Sequence, residues 1–210
     1  MKSIREKRQI ASLNFKAPFY FIIDVETNGL PVNYNAPVSN SNNWPHVIEI
    51  GWVLFDSEEN IILKKSIFIN PEGYIINEDI LNLTNRHKRI KKGNIDSISN
   101  ALKDLERWIE CADYIIGHNV EFDVTCLAAE YHRLKIKSAI SEKQTVCLMK
   151  QSVNFCQIDG GRGYKYPKLE ELYWKLFNRK PAEVHGADLD AMITAECFWN
   201  LKKRGVLTIS

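Results

Sequence analysis

Four carboxylates and one histidine are the residues of this sequence whose types and spacing predict chemistry. Asp24 and Glu26 stand two apart at the end of an apolar run, and Asp123, His185 and Asp190 follow later in the chain. Side chains of a β-strand alternate between its two faces, so Asp24 and Glu26 would present both carboxylates on one face. Carboxylate oxygens are the ligands that hard divalent cations prefer. The sequence therefore predicts a cation site where this strand ends.

The spacing between His185 and Asp190 indicates how each side chain is presented. They lie five residues apart, which corresponds to about 140° of rotation on a regular α-helix. Both side chains therefore cannot face one site from a continuous helix. We expect His185 on a loop or in a first turn, able to move relative to Asp190, which we place on the helix itself.

The strands that must position these residues follow from the apolar pattern. Three runs rich in β-branched and aromatic residues predict consecutive, mainly antiparallel strands over residues 19–25, Val47–Phe55 and Ile61–Ile69. A further short strand is predicted over residues 114–116. Because helical segments alternate with the later strands, we expect the α/β class, with a mixed sheet flanked by helices.

Helices are predicted where apolar residues recur at helical spacing. The predicted segments are residues 97–111, 121–134, 145–153 and Leu169–Phe177. A last long helix carries Ala187, Ala191 and Ala195 at four-residue intervals, a small-residue stripe that could press against the sheet.

Composition narrows the class of protein. With 210 residues, 45% of them hydrophobic, we expect one domain over residues 18–210 after a basic extension over residues 1–17. No apolar run approaches the ~18 residues of a membrane span, and charges interrupt the N-terminal segment where a secretory signal would be apolar. A cytoplasmic location, with the five cysteines reduced, is therefore predicted. The net charge of +2 argues against a passive, strongly basic nucleic-acid binder.

Three motifs in order give the sequence a family resemblance. They are Asp24-x-Glu26, then GHN (117–119) followed by Asp123, then His185-x-Ala-x-x-Asp190. This pattern resembles the DEDDh exonucleases, the DnaQ-like group that includes proofreading subunits, ribonuclease T and oligoribonuclease. The likeness spans residues 19–200, with the IEIG and KLEEL stretches between the motifs. It implies a ribonuclease H-like fold whose first three strands are antiparallel.

The resemblance also implies a role for each of the five residues. Asp24 would bind both of two divalent cations, Mg²⁺ or Mn²⁺. Glu26 and Asp190 would complete the first cation site, and Asp123 would serve the second, partly through water. His185 would take the proton of the attacking water, which the near-neutral pKa of an ordinary histidine permits.

Three other positions are interpreted through the same family. Gly186 stands where a sister subclass has a tyrosine, so the chain is of the histidine type. Family spacing selects Asp190 over Asp188, which we interpret as a solvated residue at a helix start. Asn82 replaces a glycine of a turn that lines the 3′-nucleotide pocket in many relatives, and we expect the turn to survive because asparagine tolerates positive φ.

Further residues near the motifs are expected to contact the 3′ end of a nucleic acid, and His118 is also expected to support the Asp123 segment by hydrogen bonding. These residues are Thr27, Asn28, Gly29, Leu30, Leu83, Thr84, His118, Asn119 and Phe122.

Two segments admit two interpretations each, and a third is a candidate surface for single strands. The asparagine-rich loop over residues 28–44 is either a lid or substrate wall, or a tolerated surface insertion. The basic run of Arg86, Lys88, Arg89, Lys91 and Lys92 is either a phosphate contact or a solvated turn. A third segment, with Arg162, Tyr164, Lys165 and Tyr166, mixes charge with stacking surfaces suited to single strands.

The resulting hypothesis is a metal-dependent exonuclease that releases 5′-mononucleotides from the 3′ end of single-stranded nucleic acid. We slightly favour DNA as the substrate. The alternative is a ribonuclease T-like or oligoribonuclease-like exonuclease that acts on RNA. A polymerase-associated proofreading subunit, or a member of a repair complex, is a further alternative. A catalytically inactive binder is disfavoured because all five site residues are present. The sequence indicates no oligomeric state.

Overall fold

A six-stranded sheet organises the residues that the computed structural model describes, 14–91, 93–181 and 186–209. Its strands in chain order are β1 (Tyr20–Thr27), β2 (Val47–Phe55), β3 (Ile61–Ile69), β4 (Ile95–Asp96), β5 (Tyr114–Gly117) and β6 (Gln144–Cys147). Their order across the sheet is β4-β3-β2-β1-β5-β6. β2 lies between β1 and β3 and is antiparallel to both, whereas β4 pairs in parallel with β3, β5 with β1, and β6 with β5. The predicted mixed sheet is confirmed.

Helices cover both faces of this sheet. Within the described residues they are α1 (Glu78–Leu83), α2 (Arg86–Arg89), α3 (Ile98–Cys111), α4 (Val120–Arg133), α5 (Leu148–Gln151), α6 (Val153–Cys156), α7 (Leu169–Phe177) and α8 (Ala187–Lys203). α3 begins as predicted, because the Ser97 hydroxyl accepts a hydrogen bond from the Asn100 N–H at 3.2 Å.

The prediction of a helix over residues 145–153 was wrong at its start. Residues 144–147 form β6, which pairs in parallel with β5, and the helical turns of α5 and α6 come only afterwards. The segment contains Thr145 and Val146, whose branched side chains suit a strand. Pairing with the edge of β5 therefore makes this segment a strand, although its sequence is also compatible with a helix.

Alternation along β1 divides the core into two layers. Phe21, Ile23 and Val25 pack with α3 and α4 on one face of the sheet. Tyr20 and Ile22 pack with α7 and α8 on the other. Because side chains alternate, the even-numbered residues that follow Ile22 point towards α8. Those residues are Asp24 and Glu26.

The start of α8 lies directly on the sheet. Ala187, Ala191 and Ala195 are fully buried, which confirms the predicted small-residue stripe. A Cβ atom at Gly51 would overlap the backbone of Ala187. Gly51 pairs with Asp24 across β1 and β2, so its missing side chain lets the helix begin beside that carboxylate.

Two further predictions concern membrane-spanning helices and the N-terminal extension. In the described part of the chain, no helix has the length and apolarity to cross a bilayer. Most of the predicted basic extension, residues 1–13, lies outside the described residues.

Substituting Gly51→Ala tests the contact between β2 and α8. The added methyl group meets backbone rather than a flexible side chain, so the helix start must shift, and we expect a loss of about 1–3 kcal/mol in the free energy of unfolding. Urea denaturation measures it. Gly29→Ala is the matched control, since a Cβ there meets nothing within 4 Å. Equal stability of the two variants would contradict the contact.

Candidate metal centre

Three carboxylates converge where β1 meets α8. Asp24 and Glu26 project from β1, and Asp190 projects from the first turn of α8. One oxygen atom from each lies within 4.8 Å of the others. Gly186 caps the helix, and its carbonyl accepts a hydrogen bond from the Asp190 N–H at 2.9 Å. The predictions that Asp24 and Glu26 share a face and that Asp190 lies on the helix are confirmed.

Asp123 reaches β1 from the opposite layer. It lies in the first turn of α4, and its Oδ1 accepts a hydrogen bond from the Val25 N–H at 3.0 Å. Val25 stands between Asp24 and Glu26, so this bond holds the fourth carboxylate beside the same stretch of strand. The side chain is buried, with 4% exposure.

Burial and mutual repulsion make these carboxyls hard to ionise. Burial raises the pKa of Asp24 well above its ordinary value, and the charges of Asp123, Asp190 and Glu26 raise it further. The pKa of Glu26 rises to about 8, first through burial and then through Asp190 and Glu49. Burial also raises the pKa of Asp123 to about 7, against the Val25 hydrogen bond. A positive charge between these groups would relieve both effects.

The donor set fits hard divalent cations. All four side chains offer oxygen atoms, as Mg²⁺ and Mn²⁺ sites do, and neither a thiol nor an imidazole belongs to the described cluster. Asp24, flanked by acids on both faces of the sheet, is the group best placed to be shared by two cations.

A buried ion-pair network adjoins the cluster and was not predicted. Glu49, 1% exposed, lies opposite Glu26 across β1 and β2. Arg89 donates to its two carboxylate oxygens at 2.8 and 2.6 Å, and also pairs with Asp188 in the first turn of α8. Asp188 is therefore an ion-pair partner, and its interpretation as a merely solvated residue was wrong. The available signal was Glu49 itself, a charge within an otherwise apolar strand, which requires a partner.

The sequence matches a known protein family. The exonuclease family profile (RNase_T) matches residues 21–198. The chain belongs to the exonuclease family. Its site therefore adopts the arrangement of acidic ligands that the DEDDh resemblance implied, on the expected fold. No curated protein matches the sequence.

Solved structures of Escherichia coli exonuclease I share the fold of this exonuclease domain. Its complexes with dA16 and dT13 oligonucleotides give TM-scores of 0.66 and 0.67 at 15% and 16% identity. The zinc-bound form of its complex with single-stranded DNA gives 0.65 at 15%. These alignments cover 89%, 90% and 90% of this chain, but 41%, 42% and 41% of exonuclease I. The chain thus spans about two fifths of that protein's length.

His185, the predicted proton acceptor, lies outside the described residues. Residues 182–185, which include His185, fall in a gap between the described ranges. The described chain resumes at Gly186, directly after it.

The GHN turn of the exonuclease domain is tied to the segment before α7. Partial burial lowers the pKa of His118, and its Nε2 lies 2.9 Å from the Pro167 carbonyl oxygen. The His118 carbonyl accepts from the Met149 N–H at 2.8 Å. Asn119 then precedes α4, where Phe122 packs against the core. The His118 side chain therefore bonds to the segment before α7 and not, as predicted, to the Asp123 segment.

The residues after β1 form a tight turn. Thr27 donates its hydroxyl to the Gly29 carbonyl at 2.7 Å, and the Asn28 side chain accepts from the His46 N–H at 2.7 Å. Leu30 follows with 72% exposure, an apolar side chain presented to solvent next to the carboxylates.

The segment expected to line the 3′-nucleotide pocket is helical. Asn82 lies within α1, so the expectation of a glycine-like turn there was wrong, and positive φ (49°) occurs at Asn85 instead. Leu83 is 56% exposed. Thr84 is buried and donates its hydroxyl to the Ile80 carbonyl at 2.8 Å.

Two arginines of the basic run serve the fold. Arg86 is buried and donates to the carbonyls of Ile48 and Ile69 at 2.6 Å each. Arg89 pairs with Glu49 and Asp188. The predictions of a phosphate contact and of a solvated turn were therefore both wrong for these two arginines. Lys88 and Lys91 remain exposed, and Lys92 lies outside the described residues.

The asparagine-rich loop over residues 28–44 is fastened to α4. Arg133 donates to the Ser41 carbonyl at 2.6 Å and to the Trp44 carbonyl, and pairs with Glu130 at 2.8 Å. The loop lines a cavity of about 480 Å³ that begins at Asn28. These bonds attach the loop to the helix that carries Asp123.

The metal-free site should lose stability as pH rises. The raised pKa values of Glu26 (about 8) and Asp123 (about 7) mean that the folded chain binds more protons than the unfolded chain between about pH 4.5 and 8. The free energy of unfolding then falls with pH over this window. With chelator present, we expect the melting temperature of wild type to fall more steeply than that of Glu26→Gln protein.

Added Mn²⁺ should reverse this loss, raising the melting temperature more at pH 8 than at pH 5, because the cation replaces protons. Differential scanning fluorimetry at both pH values measures the shifts. Identical Mn²⁺ shifts at the two pH values would show that the carboxyls do not bind it.

Proposed function

We propose that this exonuclease domain hydrolyses the terminal phosphodiester bond at the 3′ end of single-stranded nucleic acid and releases nucleoside 5′-monophosphates. The observation that carries the proposal is the convergence of Asp24, Glu26 and Asp190 within 4.8 Å, with Asp123 hydrogen-bonded to the same strand. These ligands come from three separate elements of a fold shared with an exonuclease. Such convergence is unnecessary for a protein that only binds nucleic acid.

Each residue receives a defined task in this proposal. Asp24, Glu26 and Asp190 would hold one Mg²⁺ or Mn²⁺ ion, and Asp24 with Asp123 a second. Bound cations would activate the attacking water and stabilise the leaving 3′ oxygen. His185, which precedes the helix cap Gly186 in the sequence, accepts the proton of that water.

Two exposed apolar side chains support recognition of a strand end. Leu30 follows the turn after β1 and Leu83 ends α1, and both side chains are more than half exposed. Apolar faces of this kind can pack against an unpaired terminal base. The titles of the exonuclease I structures name DNA oligonucleotides, which supports DNA as the substrate, with RNA as the alternative. The five free cysteines, all buried, suit the proposed cytoplasmic location.

A 5′-labelled oligonucleotide tests the direction of cleavage. With Mn²⁺ or Mg²⁺ the wild type should give a ladder of shortened labelled products, and a 3′-labelled substrate should release mononucleotide. Asp24→Asn should lower kcat/KM at least about a hundredfold, because it weakens both cation sites. Glu142→Gln, an exposed acid outside the site, should leave the rate unchanged.

His185→Asn separates base chemistry from cation binding. We expect kcat to fall about 10²- to 10⁴-fold while Mn²⁺ still raises the melting temperature. Internal cuts, or undiminished activity of Asp24→Asn protein, would refute the proposal. Matched DNA and RNA oligonucleotides assign the sugar preference.

A further inference from the structure

We infer that Arg89 is a positioning residue of the metal centre, one that holds the start of α8, and with it Asp190, in register with the ligands on β1. Its expected effect on cleavage rests on the proposed function. Its expected effect on cation binding does not.

One side of the Arg89 guanidinium is anchored to the sheet. It donates to both oxygens of Glu49, at 2.8 and 2.6 Å. Two parallel bonds from a planar group define an orientation as well as a distance. The guanidinium also lies 5.2 Å from the centre of the Phe68 ring. Because Glu49 pairs with Glu26 across β1 and β2, the position of Arg89 relative to Glu26 is determined.

The same guanidinium also meets the start of α8, through the Nη2 that bonds to Glu49. It pairs with Asp188 in the first helical turn. A Cβ atom at Gly186, the helix cap, would overlap the guanidinium, so the cap lies directly against Arg89. Asp190 follows two residues after Asp188 and donates its N–H to Gly186. The contacts therefore run from a β1 ligand through Glu49 and Arg89 to the helix turn that carries Asp190.

An anchor is needed at this place because the ligands repel one another. Asp190 places a carboxylate oxygen within 4.8 Å of oxygens of Asp24 and Glu26. Repulsion between carboxylates at this distance would move the helix start away from the strand. Arg89 opposes that movement through a partner on each side, Glu49 on β2 and Asp188 on α8.

The helix that carries Arg89 is itself bonded to the sheet. Arg89 ends α2, the helix that begins with Arg86, whose guanidinium donates to carbonyls of both β2 and β3. The preceding helix ends with Leu83, one of the residues expected to contact the terminal nucleotide.

Mn²⁺ binding to the purified full chain tests the inference. Free Mn²⁺ is followed by electron paramagnetic resonance for wild type, Arg89→Gln, Arg89→Lys and Asp188→Asn. We expect Arg89→Gln to weaken Mn²⁺ binding about 10- to 100-fold, as loss of a group that orients metal ligands does. Arg89→Lys should restore little of it, since lysine cannot make the bidentate bond. Lys88→Gln, an exposed neighbour, is the control and should bind as wild type does.

Cleavage kinetics give an independent readout. At saturating Mn²⁺ we expect kcat of Arg89→Gln protein to fall while KM for the oligonucleotide stays within about twofold, because the Arg89 guanidinium is engaged by Glu49 and Asp188. A purely structural role would lower the melting temperature and leave the Mn²⁺ affinity of the folded fraction unchanged, and that result would overturn the inference.

Two further outcomes also test the inference about Arg89. If Arg89→Gln protein does not fold, Asp188→Asn, which removes only the helix-side charge, must still weaken Mn²⁺ binding, and wild-type affinity there would overturn the inference. If wild type binds Mn²⁺ but cleaves no oligonucleotide, the proposed function fails while Arg89 is judged on affinity alone.

Discussion

Repulsion among buried carboxylates is the constraint around which the structure is arranged. Asp24, Glu26 and Asp190 place oxygen atoms within 4.8 Å of one another, in surroundings that already disfavour ionisation. Such a cluster does not assemble through its own interactions. It must be held by packing and hydrogen bonds made elsewhere, at a cost in stability that a bound cation offsets.

The fold meets this constraint from both faces of β1. On one face, Gly51 leaves room for the backbone at Ala187, so apolar contact of the alanine stripe with the sheet draws α8 onto the strand. On the other, the Val25 N–H holds Asp123 through a hydrogen bond to the ionised form. Repulsion among the carboxylates opposes both contacts, and the apolar packing of the surrounding core outweighs that repulsion. The unfavourable interactions are thus concentrated at the site, where a bound cation would relieve them.

The local parts of this arrangement could be predicted, and the long-range parts could not. Alternation placed Asp24 and Glu26 on one face, and the spacing of the last motif placed Asp190 on a helix. Both follow from backbone geometry over a few residues. β6 escaped prediction because a strand exists there only through its pairing with β5. The short helix that contains Asn82 has a local signal instead, because the Asn77 side chain caps it by accepting from the Ile80 N–H.

The basic run shows why charge is hard to interpret from sequence. Arg89 finds its partners 40 and 99 residues away, in Glu49 and Asp188, so a segment that looks free to bind phosphate is partly neutralised inside the fold. In the proposed function, cations held by the carboxylates would supply positive charge to the phosphate at the bond that is cleaved. A net charge of only +2 agrees with this proposal, because bound cations would reduce the need for basic surface.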